Sequence, residues 1–405
     1  MLFLQVIIAN MIKIIITAIP MFVCIFWSLT LLLALKNNNR SKNFLGINYA
    51  VASLLYFTHI VYFNQLSSLY LFWENIYIFC SIAIYPLFFI YICLITRKKS
   101  YSYKNYLILI PAILLSLFSF VLYANMSFND RLLYTDLLFQ NKTINVQNLS
   151  PILRLQIFKH KLFMVVYILQ LLPIIYCSRK YIVEYNRKIK NYYSDIENKT
   201  IHLTNKWLLT FIIFSIISIV SSIIGKSLFL HSTLMLFIAV IVFSILLYMI
   251  AYLALRKNFS YEVFLDDVMK DELMLVSHAP QKENKKTIEI QKKFINDIIS
   301  LLENDNIYKK HDLRISELAN RLNSNRTHVS NIINDEFKTN FTDLINEYRF
   351  RYAKKVLSDP SNEHISISQV ADMAGFSSDS SFYRIFKRKE GISPKDFRDI
   401  ALSNR

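Results

Sequence analysis

The sequence predicts an all-α protein in which a bundle of seven transmembrane helices precedes a cytoplasmic domain built on two helix-turn-helix units. Three observations carry that expectation. The first 256 residues are dominated by apolar runs long enough to cross a bilayer, their cations cluster in alternate connections, and residues 312–400 contain an internal repeat. The chain has 405 residues, enough for two or three domains, and 54% of them are hydrophobic and 15% aromatic, which is too apolar for an ordinary soluble protein.

A formal net charge of +17 points first to nucleic acid, but the charge is unevenly spread. Residues 1–255 hold 21 Lys and Arg against 6 Asp and Glu, whereas residues 256–405 hold 25 against 23. The excess belongs to the apolar half and calls for a membrane explanation before a DNA one.

Seven apolar runs lie near residues 14–35, 44–66, 72–95, 105–124, 161–178, 207–225 and 234–255. Each can cross a hydrocarbon core of about 30 Å as a helix. Pro20, Pro86, Pro111 and Pro173 fall inside runs, which bundled membrane helices tolerate. The connections set the orientation. Lys36, Arg40 and Lys42 follow the first run, and Arg97, Lys98, Lys99 and Lys104 follow the third. The fifth connection, 179–206, carries seven cations against three anions, and Arg256 and Lys257 follow the last run. Of the alternate connections, 67–71 carries no charge, 125–160 is long and mixed, and the sixth has only Lys226, so the N-terminus is expected outside and the C-terminus in the cytoplasm of a bacterial inner membrane. A cleaved signal peptide would carry its cations ahead of the first run, where only Lys13 stands.

Catalytic and metal chemistry find little support. Cys24, Cys80, Cys93 and Cys177 all fall in apolar runs, form no CxxC pair, and read as small buried hydrophobes. The histidines do not pair at helical spacing, so neither a metal nor a cofactor is expected, nor an enzymatic activity. His59 and Glu74, near the outer ends of their runs, and the uncharged Gln170 are the few polar groups of note inside the spans. Their scarcity argues against an ion-coupled transporter or a channel and leaves room for a sensor of a small or apolar ligand. For His59 and Glu74 themselves the first reading is an interhelical or interfacial role.

Residues 257–286 are polar and charged and read as a linker, with "SHAPQKENKK" at 277–286 as its joint. A connecting helix is expected over 287–311. Its Ile288, Ile295, Ile298, Ile299 and Leu302 form one stripe, which would pack on the next domain or on a second copy of itself.

The remaining domain, 312–405, contains the repeat. "ISELANRLN" at 315–323 and "ISQVADMAG" at 367–375 each open on Ile–Ser, with Ser316 and Ser368 as expected N-caps, and carry Ala319 and Ala371 at matching positions. They close on Asn323 and Gly375, two residues that tolerate positive φ and so end a helix sharply. A second helix follows each time. Val329 with Ile333, and Phe382 with Phe386, mark its buried face, and Gly391 followed by Pro394 ends the second copy. Two short helices joined by a tight left-handed turn make a helix-turn-helix, whose second helix meets DNA. The exposed faces expected to do so carry Arg326, Thr327, Ser330 and Asn331 in the first copy, and Asp379, Ser380, Ser381, Tyr383, Arg384 and Lys387 in the second. Arg and Asn suit bidentate contacts to base edges, and hydroxyls and Lys suit phosphates. Asp379 is expected to cap its helix rather than accept from a base. The run "KRK" at 387–389 could serve equally as a solvated helix end beside the negative pole of the helix dipole.

Over residues 312–400, about the last fifth of the chain, the sequence resembles the AraC/XylS-type DNA-binding domain. Ala319, Arg349, Ala353, Leu357, Ala371, the "GF" at 375–376 and "FYRIFKRKEGISPKDFR" at 382–398 carry the resemblance. It implies two helix-turn-helix units joined by a long helix, a sequence-specific transcription regulator, and double-stranded DNA as the partner. Arg384 would read a base, and Arg349 would support the long helix or contact phosphate. The sequence departs from the family in the first unit. Asn323 closes its turn where the second unit has glycine, and Lys338 stands where the family tends to have glycine after the first recognition helix. An apolar N-terminal half ahead of this domain also resembles bacterial membrane-embedded members of the family, though the resemblance says nothing specific about the seven helices themselves. The further partners expected are the lipid bilayer, an unknown effector or membrane partner, and a second copy of the chain in a homodimer. The alternative is a membrane receptor or transporter-like protein whose C-terminal helical domain binds a protein.

Overall fold

A computed structural model describes residues 2–33, 40–97, 103–140, 149–197, 199, 210, 213–218, 220–221, 229–230, 232–256, 261–275 and 287–403. Among these the elements are helices, with one isolated antiparallel bridge and no strand. The chain divides into two compact units, Met1–Ile182 with His202–Tyr261, and Val183–Ile201 with Glu262–Arg405.

The first unit contains α1 (Leu2–Leu33), α2 (Arg40–Phe63), α3 (Ser67–Thr96), α4 (Ile110–Ala124), α5 (Phe128–Gln140), most of α6 (Pro151–Lys190) and α7 (Thr233–Leu255). Six of these, all but α5, are long and apolar enough to cross a membrane, α4 together with the helical turn before it from Tyr106. The sixth expected run, near 207–225, lies mostly outside the described residues. α3 is the central helix and is buried along most of its length. The others turn large apolar side chains outward, among them Phe22, Phe26, Leu114, Phe120, Leu169 and Leu172. An exposed apolar surface of that kind marks contact with a membrane or with another protein.

Two elements exceed the sequence reading. α6 extends well beyond the expected 161–178 in both directions and continues through Pro173. The connection after α4 holds the unexpected α5, too polar to read as a span, which starts where the Asp130 amide donates to the Ser127 hydroxyl at 3.1 Å.

Glu74 takes the interhelical of its two expected roles and is buried. Its carboxylate accepts from the Lys159 ammonium at 3.2 Å, the Tyr134 hydroxyl at 3.1 Å and the Tyr123 hydroxyl. Lys159 also lies 3.3 Å from the Ser119 hydroxyl, so each buried charge has partners. His59 packs among the rings of Tyr56, Phe63 and Tyr77. It lines an apolar cavity of about 170 Å³ within this unit, with Asn48, Tyr49, Tyr85, Phe163 and Tyr167.

In the second unit the segment read as linker is partly helical: α8 spans Tyr261–Leu275 and buries Tyr261, Phe264 and Val268 along one face. The expected joint, 277–286, lies outside the described residues. α9 (Thr287–Glu303) buries Ile298 and Leu302 of its predicted stripe. The repeat then forms α10 (Ile315–Arg321), α11 (Arg326–Glu336), the long α12 (Phe341–Leu357), α13 (Ile367–Met373), α14 (Asp379–Glu390) and α15 (Pro394–Ser403).

The expected N-caps shift by two residues. Arg314 and Ser366 hold the extended cap conformation, and Ser316 and Ser368 sit inside the first turn. Gln369 and Ser366 bond reciprocally, the Gln369 amide to the Ser366 hydroxyl at 3.1 Å and the Ser366 amide to the Gln369 side chain at 2.8 Å. The closing turns adopt the left-handed backbone expected of them, with φ +46° at Asn323 and +86° at both Gly375 and Gly391. Lys338 also takes φ +50°, so the first recognition helix ends in the same kind of turn without glycine. Ala319, Ala371, Val329, Ile333, Phe382 and Phe386 are all buried, as the repeat requires.

Candidate nucleic-acid interface

α11 and α14 are the second helices of the two units, and each is amphipathic by construction. α11 buries Val329, Ile332 and Ile333, which turns Thr327 and Asn331 outward and leaves Arg326 and Ser330 half-buried. Its cap is Asn325, whose side chain accepts from the His328 amide at 2.8 Å. α14 buries Phe382, Ile385 and Phe386, which exposes Ser380, Tyr383, Arg384 and Lys387. Its cap is Ser378, which accepts from the Ser381 amide at 3.2 Å. Asp379 is therefore the first helical residue and not the cap, and its carboxylate accepts from the Ser368 hydroxyl at 3.0 Å.

Two expected site residues face inward. Ser381 is 5% exposed and stands behind Arg384, whose guanidinium reaches its hydroxyl at 3.5 Å. Arg349 is 1% exposed on α12. Its guanidinium donates to the carbonyls of Tyr308 and Lys310, both at 2.7 Å, and to the Ser194 hydroxyl at 3.3 Å. Burial lowers its pKa to about 10, against the opposing pull of Asp195 and Asp312, and it stays charged at neutral pH. A guanidinium so enclosed braces the 308–310 turn against α12. In the basic run, Arg388 pairs with Asp343 at 3.5 Å and Lys389 with Glu347, both acids of α12, while Lys387 is exposed.

Three carboxylates that sequence reasoning missed lie on this surface. Residues 191–197, which follow α6, are built into the second unit. Tyr193 bridges Arg314, the Ser194 amide donates to the Leu313 carbonyl at 2.9 Å, and the Ile315 amide donates to the Tyr192 carbonyl at 2.9 Å. Tyr192, Tyr193, Ser194 and Ile196 are buried. The segment delivers Glu197 to the start of α14, where its carboxylate accepts from the hydroxyls of Ser378 and Ser380, and Asp195 to the Ser377 hydroxyl. Burial pushes the Glu197 carboxyl up, but those two hydroxyls and the nearby Arg384 charge outweigh it and hold the group below the usual range. At the first unit, Glu272 of α8 pairs with Arg326 at 3.0 Å, and the Arg326 guanidinium lies 5.9 Å from the Tyr192 ring. The only sequence signal for Asp195 and Glu197 was a minority of anions in a connection read for its cations.

Residues 318–400 match the family described as a helix-turn-helix domain. The chain is 30% identical over 105 residues to the probable transcription factor PqrA of Proteus vulgaris, covering 26% of this chain and 83% of that protein. It is 29% identical over 87 residues to the uncharacterized HTH-type transcriptional regulator YtdP of Bacillus subtilis, covering 22% of this chain and 11% of that protein. A third similarity, 27% over 92 residues, is to the Msm operon regulatory protein of Streptococcus mutans, covering 23% of this chain and 32% of that protein. The chain thus spans a small part of the length of two of these three relatives.

Proposed function

The chain belongs to the AraC/XylS-type family of helix-turn-helix transcription regulators, and on that premise we propose that it is a membrane-anchored regulator that binds promoter DNA through α11 and α14. The observation that carries this reading is the duplicated geometry. Two helices, each preceded by a left-handed turn at Asn323 or Gly375, bury one face and offer a polar one. In this reading the two helices enter successive major grooves. Arg326, Thr327, Ser330 and Asn331 serve the first groove, and Ser380, Tyr383, Arg384 and Lys387 the second. Ser381 and Arg349, both buried, act from behind by holding the recognition surface in place. The chain carries no enzymatic activity.

The membrane anchor is supported by the six long apolar helices, their outward apolar side chains and the alternation of cationic connections. The anchor lies in a bacterial inner membrane with the DNA-binding unit in the cytoplasm. A place for a signal is the cavity of the first unit, which suits a small apolar molecule. The buried Asn48 Oδ1 on its wall has no hydrogen-bond partner among the described residues and would accept from a hydroxyl or amide of that molecule.

Genome-wide mapping of binding sites, with the wild type and with Arg384→Ala, tests the reading. A recurrent sequence that is occupied by the wild type and lost in the variant is expected. Recovery of the chain from membranes with no enrichment of any DNA sequence would favour a receptor whose helical domain binds a protein.

A further inference from the structure

Three of the groups that the proposed function turns toward DNA, Arg326, Ser380 and Arg384, already face carboxylates of the same chain. At α14, Glu197 accepts from Ser378 and Ser380 and lies close enough to Arg384 to feel its charge, while Asp195 accepts from Ser377. At α11, Glu272 holds Arg326. A carboxylate and a phosphodiester offer such donors the same chemistry, negative charge on oxygens that accept hydrogen bonds. The start of a recognition helix, with serine hydroxyls and an arginine nearby, is also where a DNA phosphate would bind. The two anions therefore compete for the same donors.

We propose that residues 191–197 and α8 form an acidic mask, with Asp195 and Glu197 standing where DNA phosphate would bind at the second recognition helix and Glu272 at the first, so that the regulator binds DNA fully only when the mask is withdrawn. The mask rests on the DNA-binding reading above and names the regulation of that site. Its anchoring is separate from its blocking groups. Tyr192, Tyr193, Ser194 and Ile196 are buried, and the β-bridge to Arg314 fixes the backbone. Asp195 then accepts from the Glu197 amide at 2.9 Å, so the turn itself presents both acids. On α8 the same division holds. Asp267 and Asp271 bind Arg314 at 3.3 and 3.2 Å, beside the first helix of the unit, and Glu272 is left for Arg326.

The blocking contacts are exchangeable because they lie at the rim: the Arg326 and Glu272 side chains are 32% and 55% exposed. Residues 191–197 follow directly on α6, which ends at Lys190, and α8 begins at Tyr261, a few residues after the end of α7 at Leu255. A ligand or membrane partner that prefers one arrangement of those helices would shift the masked population in proportion to that preference.

The test uses the full chain in lipid nanodiscs and a random-sequence DNA duplex at low salt. Asp195→Asn/Glu197→Gln/Glu272→Gln is expected to bind about tenfold or more tightly than the wild type. Losing three negative charges favours DNA anywhere on a surface, so Glu303→Gln/Glu363→Gln/Asp399→Asn, which removes the same charge from exposed acids elsewhere in the unit, is the comparison. A second variant closes the mask. The Ser377 hydroxyl donates to Asp195, and Asp195→Cys/Ser377→Cys places two thiols at that contact to be joined by oxidation. Its oxidised form is expected to lose DNA binding and regain it on reduction, while the wild type, with its own four cysteines, ignores the redox change. A gain no larger than that of the comparison variant would overturn the mask, as would an oxidised form that binds as tightly as the reduced one. If no form of the chain binds DNA, including the reduced and charge-neutralised ones, the DNA-binding reading falls and takes the mask with it.

Discussion

Gly375 and Lys309 meet backbone to backbone: a Cβ on Gly375 would lie 2.5 Å from the Lys309 carbonyl oxygen. The left-handed turn of the second helix-turn-helix is thus packed against the strut that Arg349 braces at Tyr308 and Lys310. Gly391 has the same φ of +86° but nothing within 4 Å of its Cβ position. The two glycines should therefore respond differently. Gly391→Ala carries only the left-handed penalty of about 1–2 kcal/mol. Gly375→Ala adds a clash that backbone must move to relieve, and should cost clearly more. Apparent melting temperatures of the purified full chain, with trypsin protection of residues 287–403 as a local readout, check the order; equal losses would contradict it.

Arg384 and Lys387 lie on the same exposed face of α14 but should differ in kind. Arg384→Ala should cost about 1–3 kcal/mol on a specific site and much less on random sequence, if the guanidinium reads a base edge. Lys387→Ala should weaken both alike and lower the slope of log affinity against log salt by about 1, as expected for a phosphate contact. A salt series on specific and random duplexes separates the two.

What was legible in the sequence was local. Asn323, Gly375 and Gly391 announce their turns by residue type, and Val329–Ile333 and Phe382–Phe386 announce buried faces by spacing. The N-caps were misplaced by two residues because Ile–Ser opens each helix, whereas the extended cap residues are Arg314 and Ser366. The rest depended on partners far apart in the chain. Nothing local in "NYYSDIEN" tells that Tyr193 pairs with Arg314 or that Glu197 meets Ser378. Lys159 lay just outside an apolar run, so its role as the partner of Glu74 could not be seen from composition. Lys338 shows the converse: glycine is the usual choice for such a turn, and lysine adopts it at φ +50°.

Arg349 should behave as a brace. Arg349→Ala leaves the carbonyls of Tyr308 and Lys310 without their buried donors, at about 1–3 kcal/mol for each group. Arg349→Lys restores a charge but not the fork that reaches both carbonyls, and should recover only part of the loss. The ratio of specific to random-sequence affinity should survive in whichever fraction remains folded. Binding isotherms at low and raised temperature, normalised to active protein, check this; a selective loss of specificity at full activity would give Arg349 a contact with DNA instead.

Glu74 and Lys159 form a pair whose two halves are unequally supported. Without Lys159, Glu74 keeps the hydroxyl donors of Tyr123 and Tyr134; without Glu74, Lys159 keeps the Ser119 hydroxyl and the distant ring faces of those tyrosines, 5.0 and 5.7 Å away. Removing one partner from a buried pair costs about 3–5 kcal/mol, because the other charge is left uncompensated, whereas replacing both with apolar groups of similar size is often near neutral. Glu74→Leu should therefore cost more than Lys159→Met, and the double variant less than either. A cycle of the four proteins, followed by apparent melting temperature in detergent, reads the coupling. Additive losses would mean that the two charges are stabilised separately, by the hydroxyls around them, and that their proximity contributes little.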